Sequence, residues 1–214
     1  MDLNGSFIKQ LYVSRSNLMF YLKNAGFECK KYENSSLEDI ENMKNYNQLD
    51  FKVTNESTGE SCYILYKLDE SFKQNLIKRN NIEQFIYDVY DTLKLIENTD
   101  TLVIVTTEYT KESVNKVLKN LWEKEKKFVT VFTLSNLQTN ILLHSFVPKH
   151  TRLNSEEKNA IMVKYNCSND SQLPQISRFD PVSKVIFLRP SELCEIIRYD
   201  KISLMNKYYR ICIS

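Results

Sequence analysis

The sequence predicts a protein in two parts, an α/β domain over the first two thirds and a smaller α+β module after it. Residues 102–134 read as a buried strand, an amphipathic helix and a second strand, an order that gives a parallel strand pair with a right-handed crossover. Two segments before them, 49–54 and 61–68, have strand character and flank a turn-forming stretch, which predicts a hairpin. Beyond residue 146, short apolar runs surround a single helical pattern, so the second module is mixed and small.

Two helices are predicted at the start of the chain. Apolar residues at helical spacing predict the first over 7–25, and Gly26 is expected to end it, because glycine takes the left-handed conformation at little cost. The segment Ser35–Asp39 is typical of a capping box and predicts a second helix that runs to about Tyr46.

The remaining elements follow from periodicity and from turn-forming residues. In the first domain we expect a hairpin turn at 55–60. We also expect two strands, at 102–105 and 128–134, and two helices, at 81–96 and 112–126. In the second module we expect a helix at 154–165 and a loop at 168–171. Two apolar runs follow, at 183–188 and 192–198, and then a last strand at 207–213. The sequence contains no internal repeat and no low-complexity tract.

The charge balance argues against a protein that holds DNA unaided. The chain has 214 residues, with 29 basic and 27 acidic side chains and a net charge of +2. Proteins that bind nucleic acid by themselves usually carry a more basic face. Any DNA contact is therefore expected to be a minor one inside a larger assembly. No apolar run is long enough to span a bilayer, and we expect no membrane partner.

Several kinds of chemistry are excluded by residue type and spacing. Three glycines cannot form a dinucleotide-binding turn or a phosphate loop, because both need clustered glycines. His144 and His150 are six residues apart, which does not suit a metal pair on a helix, and none of the five cysteines forms a C-x-x-C pair. Cys62 and Cys194 lie in apolar runs with no histidine near them in sequence. We expect no cofactor, no metal and no catalytic residue.

The last third of the chain carries five short motifs in order: Phe146–His150, a helix start at 154–157, Gln172–Ile176, Asp180–Ser183 and Tyr208–Ile211. Together they resemble the C-terminal assembly domain of the fifth subunit shared by eukaryotic nuclear RNA polymerases I, II and III, a domain that has a counterpart in the archaeal RNA polymerase. The resemblance continues more loosely through the first domain.

The resemblance implies a domain boundary and a set of partners. It places an N-terminal jaw-like α/β domain at 1–143 and a polymerase-assembly domain at 144–214. It implies that the chain is a non-catalytic subunit of a DNA-directed RNA polymerase, that the second domain docks on the largest subunit, and that the first lies near downstream double-stranded DNA. The implied docking residues are Pro148, His150, Asp180, Pro181, Tyr209 and Arg210. Each of these could instead serve the fold of the module itself.

The implied DNA-proximal residues are Thr110 and Lys111. They match the start of a T-P-S-A turn of the family, but here the proline and the alanine are absent. Lys111 could contact a phosphate, whereas Thr110 could equally serve as a local helix cap.

The first domain of this family resembles the three-layer fold of restriction-type nucleases, so a stand-alone nuclease-like enzyme is one alternative. Such enzymes place an Asp on one strand and Glu-x-Lys on the next. Asp50 and Lys67 fit this pattern, but the position of the Glu is occupied by Leu65, which cannot ligate a hard cation. A second alternative is a regulator that uses the docking module without being a core subunit.

The chain also departs from the family pattern. Gln175 replaces an arginine, and the family's glycine-containing turn becomes Phe187–Ser191, for which we expect a turn that needs no positive φ. These departures indicate a divergent member, from a fast-evolving parasite or a large DNA virus. A cellular protein would then be nuclear, and a viral one would be found in the host cytoplasm and the virion.

Overall fold

A computed structural model describes residues 3–68, 79–107, 112–199 and 204–214 of the chain. It divides into two compact units, Met1–Thr139 and Asn140–Ser214, called unit 1 and unit 2 below. Both units combine helices with a mixed four-stranded sheet, which agrees with the mixed α/β class expected from the sequence. No helix among the described residues is both long and apolar enough to cross a membrane.

Unit 1 contains one sheet of strand order β1-β2-β3-β4 and four described helices. The strands are β1 Phe51–Thr54, β2 Ser61–Lys67, β3 Thr101–Thr106 and β4 Phe128–Thr133; the helices are α1 Leu3–Asn24, α2 Leu37–Asn45, α3 Arg79–Tyr87 and α4 Glu112–Glu125. The pair β1–β2 is antiparallel, whereas β2–β3 and β3–β4 are parallel. The predicted hairpin and the predicted parallel pair are thus confirmed.

The parallel strands of unit 1 form the centre of its core. Every residue of β3 and β4 is buried, as expected for strands covered on both faces. Strand β1 instead alternates between buried and exposed residues, so only one of its faces meets the core. Helix α1 packs with α2, and α3 packs with α4.

Local signals in the sequence set the helix ends of unit 1. The Ser36 side chain accepts from the Asp39 N–H, and the Asp39 carboxylate accepts from the Ser36 N–H, which completes the predicted capping box. After α1, Gly26 has φ +89°, and a Cβ there would lie 2.9 Å from Nδ2 of Asn55. This position therefore requires glycine, both for its backbone conformation and for its close neighbour.

One helix of unit 1 ends earlier than the sequence predicts. Helix α3 gives way at Asp88–Thr92 to a single π-helical turn, and Lys94 has φ +48°. The apolar periodicity extends to Ile96, which is buried although it lies beyond the helix. Ile96 is therefore apolar because it is buried, and its match to the helical spacing does not mean that the helix extends to it.

Unit 2 contains a second sheet of strand order β5-β7-β8-β6 with two helices. The strands are β5 Lys149–Arg152, β6 Gln175–Ser177, β7 Leu193–Arg198 and β8 Asn206–Ile213; the helices are α5 Ser155–Lys164 and α6 Pro181–Val185. Strand β7 is antiparallel to β5 and to β8, whereas β6 is parallel to β8. One face of this sheet carries Leu193, Tyr209 and Ile211, against which Ile161 and Met162 of α5 pack.

The segment before β7 differs from expectation. The start of the apolar run at 183–188 belongs to the short helix α6, because Asp180 caps it and Pro181 occupies its first turn. The turn after it does use positive φ, at Phe187 (+52°) and Ser191 (+70°), so the expectation of an ordinary turn is wrong. The Ser191 N–H donates to the Cys212 carbonyl at 2.9 Å, a bond that helps hold this conformation against β8.

Candidate docking surface

The register of unit 2 places the three expected docking residues that lie on strands, His150, Tyr209 and Arg210, on two faces of its sheet. His150 lies opposite Ile196, which lies opposite Tyr208, and Cys194 lies opposite Arg210. Because side chains alternate along a strand and paired residues share a face, His150 and Arg210 lie on the same face. Tyr209 lies on the other face, with the apolar cluster that α5 covers. We call five side chains the docking face: His150, Arg198, Tyr208 and Arg210, which share this face of the sheet, and Asp180, whose charge acts on His150.

His150 lies on the edge strand β5 and is half-buried. Its Nδ1 lies 2.6 Å from the Pro148 carbonyl oxygen, which can only accept, so Nδ1 carries the hydrogen. Burial lowers the pKa of His150 below its ordinary value, although the Pro148 carbonyl and Asp180 act in the opposite direction. The ring is therefore neutral at pH 7, with Nε2 as an acceptor. Pro148 thus sets the tautomer of the imidazole.

Asp180 and Pro181 together start helix α6. One Asp180 carboxylate oxygen accepts from the Val182 N–H at 2.9 Å, and the Asp180 carbonyl accepts from the Lys184 N–H at 3.0 Å. Pro181 follows with an exposed ring at the first helical position. This pair has a clear role in the fold of unit 2. The second carboxylate oxygen of Asp180 and the ring of Pro181 are the groups left for contact with a partner.

Arg210 is the side chain of the docking face best suited to a forked contact. Its Nη1 donates to the Gln175 carbonyl on the edge strand β6 at 3.2 Å, a bond that is exposed to solvent. A guanidinium has five N–H donors, so most of its capacity is left for a carboxylate on another protein.

Tyr209 serves the interior of unit 2. Only 9% of it is exposed, its hydroxyl donates to Glu195 at 3.0 Å, and its ring lies 5.8 Å from that of Tyr165. Burial and the Glu195 carboxylate raise the pKa of the Tyr209 hydroxyl to about 12, so it stays protonated. Lys207 also pairs with Glu195, at 3.0 Å.

Two members of the docking face were missed from the sequence. Tyr208 is 45% exposed, and the Arg198 guanidinium lies 5.1 Å from the centre of its ring, within cation–π range. Extending the alternation of the run at 192–198 would have placed Arg198 on one face with Cys194 and Ile196. The pairing with β8 could not be read in the same way, because register is a property of two strands.

Unit 1 was expected to supply residues close to DNA. Thr110 and Lys111 lie outside the described residues, so the structure says nothing of their placement. Helix α4 begins directly after them at Glu112. At the other end of this helix, Lys124 and Lys126 are exposed, whereas Lys127 beside them is buried and bound to Asp91 and Glu125.

Asp50, the residue that suggested a nuclease, has a structural partner. One of its carboxylate oxygens accepts from the Tyr66 N–H at 2.7 Å. Burial raises the pKa of Asp50, while the Tyr66 N–H, Lys67 and Arg15 oppose that shift. Leu65 is buried on β2. Among the residues that the structure describes, no group of three or more His, Cys, Asp or Glu side chains could hold a metal ion.

Comparison with known proteins gives a consistent set of relatives. The family model for the RNA polymerase Rpb5 C-terminal domain matches residues 139–212. The DNA-directed RNA polymerase subunit Rpo5 of Pyrococcus abyssi is 38% identical over 74 residues, which are 35% of this chain and 89% of that one.

Two eukaryotic relatives extend the match toward the N-terminus. Subunit rpabc1 of the DNA-directed RNA polymerases I, II and III of Dictyostelium discoideum is 29% identical over 111 residues, 52% of this chain and 56% of that one. Subunit 5A of DNA-directed RNA polymerase V of Arabidopsis thaliana is 23% identical over 202 residues, 92% of this chain and 85% of that one.

Proposed function

The chain belongs to the family of RNA polymerase subunit 5 (Rpb5 and Rpo5), and we propose that it is a non-catalytic subunit of a multisubunit DNA-directed RNA polymerase. The observation that carries this proposal is the match to Pyrococcus abyssi Rpo5, because 89% of that subunit aligns with 74 residues of this chain. The matched module thus makes up almost the whole of a relative that is itself called a polymerase subunit. RNA synthesis would then be catalysed by other subunits of the enzyme.

We further propose that unit 2 docks on the largest polymerase subunit through the docking face. Support comes from the chemistry of that face, which presents an acceptor at His150, two guanidinium groups and an exposed tyrosine. Arginine and tyrosine are enriched among residues that dominate binding energy at protein interfaces. Tyr209 is not part of this proposal, because its hydroxyl and ring are used inside unit 2.

Affinity purification of the tagged chain from its native source tests the main proposal. A core subunit should recover the two largest polymerase subunits, in equal amounts with itself, and should stay bound through a high-salt wash. If the chain is a regulator that only borrows the docking module, the two large subunits would be recovered in less than equal amounts and would be lost in the high-salt wash. Absence of the large subunits would contradict both hypotheses.

Two matched variants test the docking face. Arg210→Gln and Lys207→Gln each remove one positive charge from β8, at positions on opposite faces of the sheet. Arg210→Gln is expected to weaken recovery of the largest subunit by about tenfold or more, because it removes a charge-assisted contact. Lys207→Gln should leave recovery unchanged. Equal behaviour of the two variants would show that the interface lies elsewhere.

We also propose that unit 1 lies near downstream double-stranded DNA and that Lys111 contributes a phosphate contact. The support is the resemblance of this segment to the family's turn, together with a net charge of +2 that suits a minor contact. The relatives from Dictyostelium discoideum and Arabidopsis thaliana support a nuclear location.

A further inference from the structure

A groove on unit 1 runs along one side of α1, far in sequence from the docking face. It has a volume of about 300 Å³, and Tyr12, Ser16, Met19, Phe20 and Lys23 supply its α1 wall. Residues Tyr32–Ser35 and Ile40 supply the opposite wall. Tyr12 to Lys23 spans about three helical turns, roughly 16 Å. The groove is thus long enough for a short peptide, and it is partly open to solvent.

Arg15 lines this groove and is buried, with only 4% of it exposed. Its Nη1 donates to the Leu49 carbonyl at 2.8 Å, and its guanidinium lies 4.4 Å from the centre of the Phe51 ring. Its Nε is buried and has no hydrogen-bond partner in the described parts of the chain. A buried N–H without a partner is costly, and the cost is higher for a charged group.

The charges around Arg15 do not neutralise it directly. No carboxylate in the described residues lies within ion-pair distance of Arg15; Asp50 acts on it from farther away and is itself bound to the Tyr66 N–H. The one carboxylate that lines the groove, Glu33, is 2.8 Å from Lys23. The groove therefore contains two cations and one carboxylate, and the carboxylate already has its counter-charge.

We propose that this groove binds a short acidic peptide segment of a partner protein, with one carboxylate on Arg15 and neighbouring apolar side chains against Tyr12 and Phe20. A carboxylate bound to the guanidinium would give it a second acceptor beside the Leu49 carbonyl and would supply the counter-charge that it lacks among the described residues. The two aromatic rings are 40% and 38% exposed, which is apolar surface that a peptide side chain would cover. An open groove favours a peptide over a small ligand, which needs a more enclosing cavity.

This inference does not rest on the proposed function and is tested on the full-length chain alone. The probes are N-acetyl-Leu-Glu-Leu-amide and its Gln counterpart, titrated into ¹⁵N-labelled protein and followed by NMR. We expect the acidic peptide to shift the Arg15 Nε–H resonance and the backbone amides of residues 12–23. The affinity of the Gln peptide should be lower by about tenfold or more.

A pair of variants separates binding from folding. Ser16→Trp fills the groove at an exposed position and leaves Arg15 in place, so it should abolish the shifts at Arg15. Gln10→Trp places the same side chain at an exposed position of α1 outside the groove and should bind like wild type. Equal binding of the two peptides, or unchanged binding by Ser16→Trp, would overturn the proposal. Inorganic phosphate that reproduced the same shifts would mark a general anion site and would also overturn it.

Discussion

Lys127 is a charged residue held almost entirely inside unit 1, with 3% of it exposed. Its Nζ lies 2.6 Å from Asp91 and 2.8 Å from Glu125, and 5.2 Å from the centre of the Tyr90 ring. Burial alone would lower the pKa of Lys127, but hydrogen bonds to the two carboxylates raise it above its ordinary value. The amine is therefore charged at neutral pH, and its stabilising effect is lost only as the pH rises through that raised pKa.

Lys127→Met is expected to lower the free energy of unfolding by about 2 kcal/mol, because both carboxylates lose their partner while the methionine keeps the buried volume. Urea unfolding followed by the fluorescence of Trp122 in the same unit measures the change. Lys124→Met, at an exposed position of α4, is the control and should change it by less than about 0.5 kcal/mol. A similar loss in both variants would refute the role given to Lys127.

Asp50 gives a prediction in which pH changes the outcome. Its folded pKa is raised, chiefly by burial, so the unfolded chain loses this proton first as the pH rises. Stability from this group is therefore highest below the ordinary Asp pKa of about 3.9 and falls until the pH passes the folded pKa. Asp50→Asn keeps an oxygen that can accept from the Tyr66 N–H. Because the amide does not titrate, this variant does not lose stability from residue 50 as the pH rises.

Relative to wild type, Asp50→Asn should therefore gain stability as the pH rises above about 3.9, and the gain should level off once the pH has passed the raised pKa of the folded state. Urea unfolding midpoints of both proteins at each pH measure the gain. A wild-type advantage that grew with pH would show that the ionised carboxylate stabilises unit 1. DNA cleavage with Mg²⁺ or Mn²⁺ that Asp50→Asn abolished would revive the nuclease alternative.

Among the elements, helix α5 depends most visibly on its cap. The Asn154 side chain accepts from the Glu157 N–H at 2.8 Å, and the Glu157 carboxylate accepts from the Asn154 N–H at 2.8 Å. None of the residues of this helix is fully buried, so packing contributes less to it than to the strands. The ends of the helix therefore matter more than in a buried helix.

Asn154→Ala should destabilise α5 by about 1 kcal/mol, because the Glu157 N–H loses its acceptor. Hydrogen exchange of the amides of 158–164 is the direct measurement, and exchange should speed up about fivefold. Asn159→Ala, an exposed position in the middle of the same helix, is expected to slow exchange slightly, since alanine favours helices. Faster exchange in both variants would contradict the cap as the cause.

The sequence predicted long elements better than short ones, for physical reasons. The periodicity of α1, the capping box at Ser36 and the hairpin of β1 and β2 are local signals, and each is found in the structure. Strands β5 and β6 have four and three residues, too few to establish a pattern. They are strands because β7 and β8 offer them hydrogen bonds, which depends on residues distant in the chain.

For the whole molecule, the motifs of the last third identified the family but did not sort its residues by role. Tyr208 and Tyr209 are adjacent in one motif, yet one is exposed on the docking face and the other lies in the core. Which tyrosine lies on which face depends on register, and a shift of one residue would exchange them. The motif thus identified the module, but the register of the sheet was needed to tell its exposed residues from its buried ones.

The charge of the whole chain leads to a prediction about DNA. With a net charge of +2, the free protein should bind double-stranded DNA only weakly at physiological salt, with a Kd no tighter than about 1 µM. In the assembled polymerase, Lys111→Gln should reduce the salt dependence of DNA binding by about one phosphate contact. Fluorescence anisotropy over a range of salt concentrations measures both. Tight binding by the free chain would make unit 1 an independent DNA-binding domain.

The position of β8 bears on how the protein is made by the ribosome. This strand is the last of the sheet in unit 2 to be translated, yet it lies inside the sheet, between β7 and β6. Strand β6 has no other partner among the described strands, and the Arg178 N–H donates to the carbonyl of Ile213. Unit 2 therefore cannot complete its sheet until β8 has left the exit tunnel, whereas the residues of unit 1 leave the tunnel earlier and can fold before that.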